Sequence, residues 1–172
     1  MKRLAPVLLL CAPWATLAGC ADIVNVEAAR QELFDLNDKM RTAHLEGDAA
    51  TIIAVHDYPY TAVKNGRVTH PTAEDHAAQF TGYMDSMRLL AWDDLSDPII
   101  HISDDASLAV VTYRKHLKMV PKAQPDSEPY EGIFVWQSTY RRTSKGWKQI
   151  SDIVTTFPEA EMTEELKTFS CR

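Results

Sequence analysis

Apolar residues along the chain recur at two different spacings, and each spacing predicts its own kind of element. Between residues 26 and 46, Val26, Ala29, Leu33, Leu36, Met40 and Ala43 recur at alternating steps of three and four, while Glu27, Arg30, Glu32, Asp35, Lys39 and Arg41 fall elsewhere. That period draws one apolar stripe along a helix. Gly47 fits its C-terminal stop and Asp48 the cap of a second, short helix from Ala49 to Val55, so a helical hairpin is predicted. From Tyr58 the spacing changes to Tyr58-Pro59-Tyr60-Thr61-Ala62-Val63, followed by Asn65-Gly66 and Arg67-Val68-Thr69. Asn-Gly between such runs is a strong hairpin signal. Helical steps return at His76, Phe80, Met84 and Met87 and predict a third helix over about 73 to 88.

From residue 98 the period is mostly two. Ile99 to Ser103 and Ala106 to Met119 flank Asp104-Asp105, and Tyr130 to Arg142 and Trp147 to Phe157 flank Thr143-Ser144-Lys145-Gly146. Residues 120 to 129, with Pro121, Pro125 and Pro129, read as a loop, and residues 158–172 as a tail or short helix. With Asp104-Asp105 as a two-residue turn, His101 pairs with Leu108, which puts His101 and His116 on the polar side of their strands. Two helices, a hairpin, a third helix and long antiparallel strands predict an α+β domain whose helices cover one face of a curved sheet. Neither repeats nor low-complexity tracts divide it.

The first residues follow different rules. In MKRLAPVLLLCAPWATLAGC, two basic residues precede an uncharged stretch that ends in small residues, the layout of a secretory signal peptide. The stretch is shorter than the roughly 20 residues that a spanning helix needs. Leu17-Ala18-Gly19-Cys20 resembles the lipobox of bacterial lipoproteins. The resemblance implies that residues 1–19 are removed, that Cys20 is acylated, and that residues 20–25 tether the domain to membrane lipid. Two or three acyl chains anchor stably where one does not. The expected location is the bacterial cell envelope, on the outer membrane or the outer face of the inner membrane.

Cleavage also changes the arithmetic of charge and cysteine. Loss of Lys2 and Arg3 takes the formal charge from −6 to −8, and no Lys/Arg cluster remains, which argues against nucleic acid as a partner. Cys11 leaves with the leader and Cys20 carries lipid, so Cys171 has no intrachain partner and the fold rests on its core.

The run LNDKMRTAHLEGDAATIIAVH, the strand pair around Asp104-Asp105, and STYRRTSKGWKQISD with Trp147 opening the last strand are similar to the nuclear transport factor 2-like superfamily. The similarity is to its SnoaL-like branch and to relatives of the calmodulin-kinase association domain, over residues 26–157. It implies a cone: a mixed or antiparallel sheet wrapped around the long first helix and two shorter ones, a pocket at the wide end, and frequent homodimers. Ketosteroid isomerases of this superfamily use a Tyr on the first helix, an Asp after the first strand and an acid on a late strand. Those positions fall near Met40, near Lys64 and at Ser138, so that reaction is not expected.

Candidate chemistry centres on HPTAEDH, residues 70 to 76. Thr72 to Asp75 reads as a capping box, and Glu74 and Asp75 suit the positive end of a helix. His76 shares the inward stripe with Phe80, and two roles stay open for it: a hydrogen-bonded residue at the pocket edge, or a general base. The His-x5-His spacing matches no zinc motif, and no phosphate loop or nucleophile elbow is present, so no metal or cofactor is assigned. If residues 142 and 147 face each other, Phe134, Trp136, Ser138, Tyr140, Trp147, Gln149, Ser151 and Ile153 share one face of the late hairpin, and Asp152 and Val154 the other. Pocket candidates are therefore Met40, Tyr58, Tyr60, His76, Phe80, Trp136, Ser138, Tyr140, Gln149 and Ser151. The expected function is binding of a small apolar molecule. The alternatives are a dimerising interaction module, or an isomerase, cyclase or dehydratase with His76 as base and Ser138 or a Tyr as hydrogen-bond donor.

Overall fold

A computed structural model describes residues 25–64 and 66–156. The leader with Cys20, and the C-terminal tail or helix expected after 157, lie outside the described residues. Three helices, α1 (Val26–Glu46), α2 (Ala49–Val55) and α3 (Ala73–Ser86), pack on a seven-stranded sheet. The strands are β1 (His56–Lys64), β2 (Arg67–Thr69), β3 (Met87–Asp94), β4 (Ile99–Ile102), β5 (Leu108–Pro121), β6 (Tyr130–Thr143) and β7 (Gly146–Thr156).

Local chemistry sets the helix ends. The Asn25 side chain accepts from the Ala28 amide at 3.0 Å, and Gly47, at φ +74°, closes α1 in the left-handed region that favours glycine. Asp48 accepts from the Thr51 amide to open α2. At α3 the box is reciprocal: Thr72 Oγ1 accepts from the Asp75 amide, and Asp75 Oδ2 accepts from the Thr72 amide at 2.9 Å.

The sheet runs β2-β1-β7-β6-β5-β3, with β4 also paired to β5. All pairings are antiparallel except β1 with β7, which is parallel, so the last strand lies inside the sheet and not at its edge. The curved mixed sheet wraps the helices as an α+β cone.

Two apolar clusters hold the inner side. One sets Ala29 and Leu33 of α1 against Ile100, Ala109, Val111, Tyr113, Tyr140 and Trp147. The other joins Ala43, Ile52 and Met84 of the helices to Leu89, Trp92 and Leu117. Met40 and Trp136 pack against both clusters.

Three expectations need correction. Helix α3 stops at Ser86 because Met87 turns to φ −119°, ψ 145°, and β3 follows where the sequence pattern showed no strand. The reason is a register shift between Leu89 and Ala91, which leaves Leu90 outward and destroys the period of two. The link before β5 is longer than two residues: Ile102 pairs with Ala109 and His101 with Val110, while Asp105 Oδ1 accepts from the Ser103 and Ser107 hydroxyls and the Ser107 amide. The third correction falls in β7 and changes the site.

Candidate functional site

Between the two clusters lies a cavity of about 730 Å³. Its wall is aromatic toward Phe134 and Trp92, where Lys115, Asn37 and His44 are set into it, and polar toward Gln149 and Asp152, and sheet register orders the two ends. Successive inward rows cross β5, β6 and β7 as Ala109–Tyr140–Gln149, Val111–Ser138–Asp152 and Tyr113–Trp136–Val154, followed by Lys115–Phe134 on β5 and β6. Beyond them Trp92, Leu117, Met119 and Tyr130 continue the apolar end. Trp92 and Trp136 have ring centroids 4.9 Å apart, and Phe134 and Trp136 5.4 Å.

At the polar end Gln149 Nε2 donates to the Tyr60 hydroxyl at 2.7 Å. The Asp152 carboxyl lies close enough to the Tyr60 hydroxyl for each to shift the other's pKa. Asp152 Oδ1 is buried and has no hydrogen-bond partner. Burial raises the Asp152 carboxyl above the usual range, against the lowering effect of Tyr60 and of Lys64 at the rim. Burial, followed by the nearby Asp152 charge, also pushes the Tyr60 phenol up. Tyr113 and Tyr140 share a buried hydrogen bond of 3.1 Å beside Ser138.

His76 sits among four other rings, those of His56, Tyr58, Tyr60 and Phe80. Its Nδ1 shares a hydrogen bond of 3.0 Å with the Tyr58 hydroxyl, and its centroid lies 4.5 Å from His56 and 4.6 Å from Tyr60. His56 Nδ1 donates to the Ile52 carbonyl at 3.0 Å, and His44 Nδ1 to the Met40 carbonyl at 2.7 Å, so each leaves Nε2 as its other nitrogen. Burial is the main cause that lowers all three: His44 and His56 to about 4, His76 by an amount that the Asp75 charge opposes. Near neutral pH these rings are uncharged.

Lys115 forms a third polar group in the wall. Only 4% exposed, its Nζ donates to Asp94 Oδ1 at 2.7 Å and to Asn37 Oδ1 at 2.9 Å, while Asn37 Nδ2 donates to Asp94 Oδ2 at 2.8 Å. The three side chains close a ring that ties α1, β3 and β5 together. Burial lowers the Lys115 pKa, and Asp94 opposes that loss.

Of the residues named from the sequence, Met40, Tyr60, His76, Phe80, Trp136, Ser138, Tyr140 and Gln149 line the cavity. Tyr58 does not: it reaches His76 from a smaller recess of about 320 Å³ with Pro59, His70 and Pro71. His70 stays in the turn, exposed, and Glu74 and Asp75 are helix-start residues on the surface. Ser151 is displaced as well. Residues 142 and 147 do face each other, but Tyr140 pairs with Gln149 and Thr139 with Ser151, so Ile150 is an extra residue. This bulge turns Ser151 and Ile153 outward and Asp152 and Val154 into the cavity, reversing the faces that regular alternation predicts.

Sequence reasoning missed Asp152 for that reason. It also passed over Lys115, although Lys115 occupies an inward position between Tyr113 and Leu117, and a charge at such a place is the signal that identifies it. Among the described residues no group of three or more His, Cys, Asp or Glu is arranged to hold a metal ion.

No protein-family model matches the sequence, and no curated protein matches it. Solved structures do. A protein named as a calcium/calmodulin-dependent kinase II association domain, from Exiguobacterium sibiricum, is 17% identical with a TM-score of 0.61 over 76% of this chain and 95% of its own. A protein of the nuclear transport factor 2-like family from Streptomyces avermitilis, named as a dehydratase, is 15% identical with a TM-score of 0.61 over 78% and 99%. A nuclear transport factor 2-like superfamily protein from Salmonella enterica is 12% identical with a TM-score of 0.63 over 78% and 95%. At such identities the likeness is one of fold.

Proposed function

We propose that this chain, whose fold is that of the nuclear transport factor 2-like proteins, is a lipid-anchored protein of the bacterial cell envelope that binds a small, largely apolar molecule in its cone. The cavity carries this reading. Its volume is within the range of small-molecule sites, and the greater part of its wall surface is apolar, with polar side chains set into it. The anchor rests on Leu17-Ala18-Gly19-Cys20. No reaction is assigned: His76 is held by Tyr58 and kept neutral mainly by burial, a state that positions a ligand as readily as it accepts a proton.

Native mass spectrometry of the acylated protein purified from its own host tests both parts. A mature chain that begins at an acylated Cys20 and retains a small molecule supports the reading. A non-acylated chain removes the anchor. A ligand-free chain that also fails to take up the neutral dye N-phenyl-1-naphthylamine removes the pocket.

A second reading, self-association through the outer face of the sheet, has its own observation. Val68, Val63, Ile153, Gln137, Thr112 and Ile99 form one outward row across β2, β1, β7, β6, β5 and β4. Val68 is 63% exposed, Ile99 59% and Ile153 42%. Sedimentation of wild type and Ile153→Glu checks it: a dimer that the substitution splits supports this reading, and a wild-type monomer refutes it.

A further inference from the structure

The bulge at Ile150 places a carboxyl in an apolar cavity and leaves one of its oxygens without a partner. We infer that Asp152 is the anchor for a hydrogen-bond donor on the ligand, so that the molecule is an amphiphile with a hydroxyl or amine at one end and a hydrocarbon body directed toward Phe134 and Trp136. This inference rests on the pocket reading and deepens it.

Directionality of the hydrogen bonds carries the argument. Gln149 Nε2 can only donate, so the Tyr60 oxygen is its acceptor, and this donor is spent on Tyr60 and not on Asp152. Asp152 lines the cavity, and its Oδ1, turned away from the open space, has no hydrogen-bond partner among the described residues; rotation about the Cβ–Cγ bond brings either carboxyl oxygen to the cavity. A buried acceptor without a partner is costly, and a donor supplied by the ligand offsets that cost.

Register then orients the rest of the molecule. Asp152 pairs with Ser138 on β6, and Phe134 stands four residues further along the same strand, roughly 13 Å away at about 3.3 Å per residue. The wall in that direction is aromatic. Lys115, in register with Phe134, already holds Asp94 and Asn37, so it does not compete for the ligand's hydrocarbon end, and the acceptor lies at the Asp152 end.

Three probes with the same decyl chain test the assignment by displacement of N-phenyl-1-naphthylamine from the intact domain: 1-decanol, decylamine and decyl methyl ether. The ether keeps the hydrocarbon and lacks the donor. In wild type, at least one donor probe should displace the dye at about ten- to hundredfold lower concentration than the ether. Asp152→Leu should abolish that difference while the ether still competes, and Asp152→Asn, which keeps the shape and one acceptor, should retain part of it. If decylamine is the better donor, the ligand head is an amine on an ionised Asp152; if 1-decanol is, it is a hydroxyl. Equal competition by all three in wild type overturns the inference and leaves the pocket standing, as does an undiminished donor preference in Asp152→Leu. Failure of the dye to bind overturns both.

Discussion

Acidification from pH 7 to pH 5 should destabilise this protein by way of buried neutral histidines, and His44 gives the clearest case. It is 8% exposed, stacks on Trp92 with centroids 4.1 Å apart and planes 8° from parallel, and has its Nδ1 on the Met40 carbonyl. Burial lowers its pKa from 6.5 to about 4. The unfolded chain therefore takes up a proton at this site near pH 6.5, and the folded chain only near pH 4. Over that interval the unfolded state binds more protons, so stability falls as pH falls, and the loss is complete only below about 4. At about 1.36 kcal/mol per pH unit, the site costs about 2 kcal/mol between pH 7 and pH 5. His56, lowered to about 4 by burial and by His76, adds a loss of similar size. Asp152 opposes the trend, because its raised pKa makes protonation easier in the folded chain than in the unfolded one. Asp48, Asp75 and Asp105 have lowered pKa values, so their losses come below the pH window in question. Urea unfolding followed by tryptophan fluorescence at the two pH values measures the slope. His44→Phe keeps the stack without the titrating group and should remove about half of the pH-dependent loss, whatever it does to stability at pH 7. Equal stability of wild type at pH 5 and 7, or a full slope in His44→Phe, refutes the reasoning.

Other outcomes follow from single contacts. Asp94→Ala leaves Lys115 buried without its carboxylate and should cost about 3–5 kcal/mol in urea unfolding, while the joint change Lys115→Met with Asp94→Leu should recover most of it. Tyr113→Phe removes one side of the buried Tyr113–Tyr140 bond and should cost about 1 kcal/mol by the same measurement. Thr72→Ala opens the capping box and should cost about 1 kcal/mol, visible as earlier thermal loss of helical circular dichroism.

How legible the fold was depended on whether local chemistry and period agreed. α1 and α2 carry an unbroken stripe and strong caps, and the structure places them at the expected residues. β3 and the inward face of β7 were hidden by the same physical device. An extra residue at Leu90 and another at Ile150 each shift alternation by one, and a reading based on a period of two cannot detect where the count changes. The pocket side chains on helices and on β6 were therefore visible in the sequence. Asp152 was assigned to the wrong face. Lys115 was within reach, because a lysine between Tyr113 and Leu117 contradicts the surrounding pattern and so marks a buried partner. Ser151 failed as a pocket residue for the reason that Asp152 succeeded.

The place of β7 between β1 and β6 also imposes an order of events during synthesis. The Asp152 carboxyl belongs to β7, the last strand among the described residues, whereas Tyr60, which it neighbours, is made about ninety residues earlier. Until that strand arrives, the β1–β2 hairpin has no neighbour to join and the cone has no floor. The parallel β1–β7 closure links distant parts of the chain, and such contacts form slowly. A nascent chain that has not yet released residues 146–156 lacks the strand that joins β1 to β6 and with it one wall of the cavity. Closure of the cavity thereby waits for residues 146–156, however early its other walls are made.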